Sequence, residues 1–210
     1  MFPVETMISF FTASLLLAAA PGPDNIFVLT QSALQGPRAG FMVTAGLCTG
    51  LVVHTSAVAL GVAAVFHTSA TAYTTLRLIG ACYLLYLAFQ ALRASSAKPV
   101  MGEGRYIPIF KLYTRGIIMN ITNPKVSIFF LAFLPLFADP ARGSLALQLM
   151  GLGAMFILAT ITVFGMVALA AGSLGQRLSR SPQIQRVMHI IAGLVFVTLA
   201  AGILIDISRF

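Results

Sequence analysis

The sequence predicts an all-α polytopic membrane protein: one domain of six transmembrane helices, arranged as two inverted three-helix repeats. Three observations carry that prediction. Of 210 residues, 59% are hydrophobic and 9% charged, with a mean hydropathy of +0.96, whereas soluble domains carry charge on about a quarter of their residues. Six stretches, roughly 7–34, 40–66, 73–92, 111–137, 145–174 and 187–207, approach or exceed the ~20 apolar residues that cross about 30 Å of hydrocarbon. The first and fourth of them are interrupted near their middles by proline motifs, at corresponding places in the two halves. Helices rather than barrel strands fit these lengths, because a barrel strand needs only about ten residues.

Taken in order, the first stretch follows Glu5 and no basic segment, so it is read as a retained span rather than a cleaved signal peptide, despite Ala18-Ala19-Ala20. Pro21-Gly22-Pro23-Asp24-Asn25 breaks it. The second stretch contains Gly46-Leu47-Cys48-Thr49-Gly50, whose GxxxG spacing permits close helix packing, and then His54-Thr55-Ser56. The third closes the first repeat, 1–92. Residues 93–110 lose the apolar character and read as a cytoplasmic linker to the second repeat, 111–210. The fourth stretch is broken by Asn120-Ile121-Thr122-Asn123-Pro124-Lys125. Asp139-Pro140-Ala141-Arg142-Gly143 and Ser179-Arg180-Ser181-Pro182 mark the turns before the fifth and sixth.

The formal net charge of +8 does not indicate nucleic acid, because the cations sit between apolar runs instead of forming one solvated patch. They orient the chain in the bilayer. Arg38, Arg93, Lys98, Arg105, Lys111, Arg115, Arg177, Arg180 and Arg186 fall on one side, nine in all, against Arg77, Arg142 and Arg209 on the other. Positive charge stays inside, so both termini are expected outside an inner (plasma) membrane. Three spans per half, an odd number, make the second half run opposite to the first, as in many secondary transporters.

Proline cannot donate a backbone hydrogen bond and disfavours helix in the residue before it. Pro21, Pro23 and Pro124 therefore break their spans, with Pro23 and Pro124 as first-turn prolines and Gly22 and Asn123 as helix caps. Unwound backbone at that depth is tolerated where it lines a cavity, and paired interrupted spans point to a midplane binding site. Each break also carries a charge, Asp24 after Pro23 and Lys125 after Pro124, at a cost of about 2.5–3.5 kcal/mol for insertion at a span's centre. Two readings account for them: an Asp24–Lys125 ion pair that locks the halves, or a site for a zwitterion with Asp24 facing its ammonium and Lys125 its carboxylate. The substrate-binding candidates are Gly22, Asp24, Asn25, Asn123 and Lys125. The candidate proton-coupling groups are Asp24 and His54, the latter first read as an interhelical hydrogen bond. Phe129-Phe130 through Phe137 reads as lipid-facing or packing surface rather than a cofactor site.

At these residues the chain resembles the LysE/RhtB amino acid exporters. Ala19-Ala20-Pro21-Gly22-Pro23-Asp24-Asn25 is similar to that family's first-span motif. Asn123-Pro124-Lys125 with Phe129-Phe130-Leu131-Ala132-Phe133-Leu134-Pro135 is similar to the fourth-span motif, and Gly80-Ala81-Cys82-Tyr83-Leu84-Leu85-Tyr86-Leu87 to the third span. The resemblance implies efflux of amino acids driven by the proton-motive force through antiport. Pro-Gly-Pro-Asp-Asn resembles the neutral branch, which handles threonine, homoserine or leucine, whereas Gly-Pro-Gln-Asn marks the basic one. Leu136 departs from the pattern, since glutamine often follows the proline.

A divalent-metal exporter is the alternative reading, but it would need more midplane ligands than one carboxylate and scattered histidines. A thiol-redox relay would need paired cysteines, and Cys48 and Cys82 have no CxxC spacing. Enzyme motifs such as HExxH and GxSxG and the nucleotide-binding GxxxxGK[ST] do not occur. No enzymatic activity, cofactor or resident metal is expected. The expected partners are a small amino acid substrate and the lipid bilayer, with a homodimer as one assembly the sequence permits.

Overall fold

Why the first and fourth spans split is visible in their caps. In the computed structural model, which describes residues 2–20, 22–68, 70–93, 106–171 and 182–208, α1 (Val4–Ala19) ends where the Ala20 amide folds back to the Leu16 and Leu17 carbonyls. Gly22 is extended and caps α2 (Pro23–Gln35), whose first residue is Pro23. Asn123 caps α6 (Pro124–Phe133) with its own side chain, accepting from the Lys125 amide at 3.1 Å, after α5 (Ile109–Ile121) has ended. Both first-turn prolines and both caps stand where the sequence places them; Pro21 lies outside the described residues. The axes bend by 64° between α1 and α2 and by 56° between α5 and the segment after Asn123.

The remaining helices are α3 (Pro37–Thr68), α4 (Ala70–Arg93), α7 (Leu145–Ala170) and α8 (Pro182–Ile207), with short 3-10 turns at Leu134–Phe137 and Pro140–Arg142. No strand occurs among the described residues. Pro37–Gly61 and Leu145–Ala170 qualify as spans by length and apolarity, and the bent pairs α1–α2 and α5–α6 raise the number to four. The helices α4 and α8 stand where the third and sixth stretches were expected; among the described residues α4 does not qualify as a span, and the apolar stretch of α8, His189–Ile205, is shorter than a full span. In α4 one reason is Arg77, which lies two turns inside the helix and is buried, not on a connecting loop. Arg77 therefore leaves the count of loop cations, as do Lys111 and Arg115, which stand within α5. Most of the linker, 94–105, lies outside the described residues.

Packing follows a simple rule. The helix α3 lies against α5, and α7 against α1 and α2; α4 lies against α6, and α8 against α1. Each unbroken helix thus rests on the broken pair of the other half. The helix α3 crosses α5 closely: a Cβ at Gly46 would overlap the Tyr113 carbonyl, and one at Gly116 the Val43 carbonyl. The GxxxG stretch therefore does bring backbones together, with Gly50 opposite the Asn120 side chain. Phe129, Phe130 and Phe133 are fully buried and form the core's aromatic cluster. Phe129 lies 4.4 Å from Phe133, Phe130 is edge-on to Phe156 at 4.9 Å, and Phe133 stacks on Phe10 at 5.4 Å between centroids. Of the two readings of that run, packing surface is the one realised for these three rings.

Candidate functional site

The two breaks face each other across one cavity. It has a volume of about 50 Å³, room for a few water-sized groups at ~10–15 Å³ each. Gly22, Pro23, Asp24 and Asn25 line it from the first break, and Asn120, Asn123 and Lys125 from the second. Leu51, Phe129, Phe156 and Phe164 supply apolar walls, and Thr160 a hydroxyl that donates to the Phe156 carbonyl at 2.9 Å. All five substrate-binding candidates named from the sequence converge here.

Their roles separate once the hydrogen bonds are followed. Asn25 reaches back over the break and donates its amide to the Ala18 carbonyl at 2.9 Å, replacing a helical bond that the interruption removes. Asn123 works in two directions, accepting from the Lys125 amide through Oδ1 and donating from Nδ2 to Asp24 Oδ2 at 3.2 Å. That second bond ties break to break. Asp24 is 8% exposed, and its other oxygen, Oδ1, has no partner. One charge-assisted bond is worth about 1.5–3 kcal/mol, comparable at best with the ~2.5–3.5 kcal/mol of inserting the charge, and leaves Oδ1 unmet. The carboxylate is therefore under-compensated and open to a further donor.

Lys125 does not close onto it. Its Nζ lies over the Phe196 ring of α8 at 5.7 Å from the centroid, and among the described residues the ion pair within bonding distance is Asp139–Arg142. The two break charges thus line one cavity without direct contact, so the locking ion pair is not formed in this structure. Opposite charges border one small cavity whose walls are mostly apolar. The starts of α2 and α6 also border this cavity, with their Asp24 and Lys125 side chains in its lining, so positive dipole ends lie beside it.

His54 stands outside the cavity lining. Its Nε2 lies 3.1 Å from the Asn120 carbonyl; a carbonyl only accepts, so Nε2–H donates, and His54 braces the end of α5 from α3. That is the interhelical bond read from the sequence. Pro124 occupies the first turn of α6 without lining the cavity. Sequence reasoning did not select Asn120 or Thr160, both buried. A signal existed for each: Asn120 precedes the capping Asn123 by one turn, and Thr160, with Thr162, interrupts the apolar run of α7. Cys48 and Cys82 are both free thiols, on α3 and α4.

The family model for LysE type translocators matches residues 15–207, which takes in both breaks and every cavity residue. The homoserine/homoserine lactone efflux protein of Salmonella typhimurium is 31% identical over 94% of this chain and 95% of its own length. The leucine efflux protein of Salmonella choleraesuis is 24% identical over 92% of each chain. An uncharacterized membrane protein of Vibrio cholerae is 30% identical over 98% of both. No solved structure matches. With the match spanning nearly the whole sequence, this chain belongs to the LysE type translocator family.

Proposed function

We propose that this protein is a secondary transporter that exports neutral amino acids across the inner membrane by proton antiport. The observation that carries the reading is the cavity between the breaks, with Asp24 on one side and Lys125 on the other, unpaired with each other. A zwitterion presents its ammonium to Asp24 and its carboxylate to Lys125 and the α6 N-terminus. The apolar walls then face its side chain, and an uncharged side chain suits them. Relatives named for efflux of homoserine and of leucine support both the direction and the neutral class.

Six spans in two inverted repeats, 1–92 and 111–210 around the linker 93–110, complete the architecture, with α4 and α8 as the third and sixth spans and both termini outside. The reciprocal packing of each unbroken helix on the opposite half's broken pair supports it. Two halves related by inversion exchange the contacts of α3 with α5 and α6 for those of α7 with α1 and α2, and both sets are present.

Coupling follows from competition at Asp24. A carboxylate that must be ionised to hold an ammonium cannot hold a proton at the same time, so substrate and proton exclude each other. Protonation from the acidic outside releases the substrate outward. Deprotonation toward the interior restores the site. The test is efflux from cells loaded with dipeptides: cells producing this protein should release neutral amino acids such as leucine, threonine or homoserine faster than cells without it. Equal release of all of them in both would contradict the proposal.

A further inference from the structure

We propose that Asn120 is a second ligand for the substrate's ammonium, acting with Asp24 from the opposite half of the chain. The proposal rests on the amino acid export reading and names a binding residue outside its pair of charges.

Two buried side-chain oxygens among the described residues lack a hydrogen-bond partner, Asp24 Oδ1 and Asn120 Oδ1, and both belong to residues lining the same cavity. Asn120 is 3% exposed. Buried polar groups are satisfied in more than about 90% of cases, and each exception costs roughly 1–3 kcal/mol. Two such acceptors around one small space call for a shared donor. Oδ1 of Asn120 makes no hydrogen bond within the fold. Its backbone carbonyl does the local work, accepting from the Asn123 amide at 3.1 Å and from His54 Nε2 at 3.1 Å. Meanwhile Gly50 leaves the room in which the carboxamide sits, since a Cβ there would overlap it.

The donor's chemistry is constrained. It must offer at least two hydrogens, because there are two acceptors. A positive charge favours it, because one acceptor is a carboxylate, and it must be compact, because the cavity is about 50 Å³. A hydroxyl has one hydrogen and leaves one acceptor orphaned; a carboxylate has none to give. A primary ammonium meets all three conditions. Seated there it is held by α2 of the first half and α5 of the second, while Lys125 at the start of α6 faces the carboxylate.

The test uses the full-length protein, in proteoliposomes for transport and in detergent for thermal unfolding, with leucine and homoserine as probes. Asn120→Leu keeps the approximate size and removes the acceptor. It should raise the KM for the transported probe roughly 10- to 100-fold, the loss of one hydrogen bond to a charged group. The ligand-free variant should melt at the wild-type temperature or above, because a buried orphan is gone. Asn120→Asp keeps the acceptor and should hold KM within about threefold. If Asn120→Leu does not accumulate, Asn120→Ala carries the same comparison. An unchanged KM in the Leu or Ala variant overturns the proposal, as does a lowered melting temperature with Asn120→Asp equally impaired, the signature of a structural role. Wild type moving neither probe would instead overturn the export reading and this inference with it.

Discussion

Asn123 donates its side-chain amide to Oδ2 of Asp24 at 3.2 Å, joining residues 99 positions apart and thereby the two helix breaks. One residue caps α6, holds the carboxylate of the other half and borders the cavity. Substrate-induced movement of one half against the other would have to pass through this bond.

Lys125 should set the preference for neutral over basic substrates. A second cation in a weakly screened site is repelled, so wild type is expected to export leucine at least about tenfold better than lysine. Lys125→Met should raise the KM for leucine by about tenfold or more, because a charged contact is lost, while the protein still folds. Efflux rates for both amino acids in both proteins check this; lysine exported as well as leucine by wild type would place the protein with the basic exporters.

Gly46→Ala should destabilise the protein, because the new methyl meets the Tyr113 backbone carbonyl, which cannot rotate away. Overpacking of this kind costs about 1–3 kcal/mol. Gly61→Ala on the same helix meets open space and should be neutral. Melting temperatures of the two variants in detergent decide it, with equal values contradicting the packing described.

Much of this site was legible in the sequence because its causes are local. A proline with a cap before it ends one helix and starts another whatever surrounds it, so Gly22, Pro23, Asn123 and Pro124 could be assigned without coordinates. What the charges would touch was not legible: the sequence left open whether Lys125 pairs with Asp24, and the placement of Lys125 beside Phe196 depends on how α8 packs. Nor could the direction of the Phe129–Phe133 rings be read, because lipid and protein core are equally apolar and no polar face marks the difference. Asn120 was hidden beside a stronger signal, the capping Asn123, and its unmet oxygen exists only once α3 packs against α5.

The loop charge Asp139 should not contribute to pH dependence. The Ala141 amide at 2.9 Å and the Arg142 side chain at 2.9 Å hold its carboxyl below the ordinary aspartate range. A lowered folded-state value means that its stabilising contribution is present above the unfolded pKa and is lost only as pH falls through the lower folded one. Asp139→Asn should therefore leave the pH profile of export between about pH 5 and 8 unchanged, which transport at a series of external pH values would verify. A shifted profile would relocate the coupling to this loop.

The orientation predicts that residues near Lys98, in the linker carrying most of the positive charge, face the cytoplasm. A single cysteine introduced there should resist an impermeant thiol reagent in intact cells and react after permeabilisation. Labelling from outside would reverse the topology.

The central claim, that Asp24 couples substrate to proton movement, is tested most directly by uphill export through Asp24→Asn protein in proteoliposomes with an imposed proton gradient. The substitution keeps the shape and an acceptor for the Asn123 amide but removes the titratable charge, so the variant should elute as a folded species in detergent. The account predicts that it accumulates no leucine or homoserine against a gradient at any pH, where wild type does. Uphill transport by the folded variant, with the wild-type pH dependence, would contradict it.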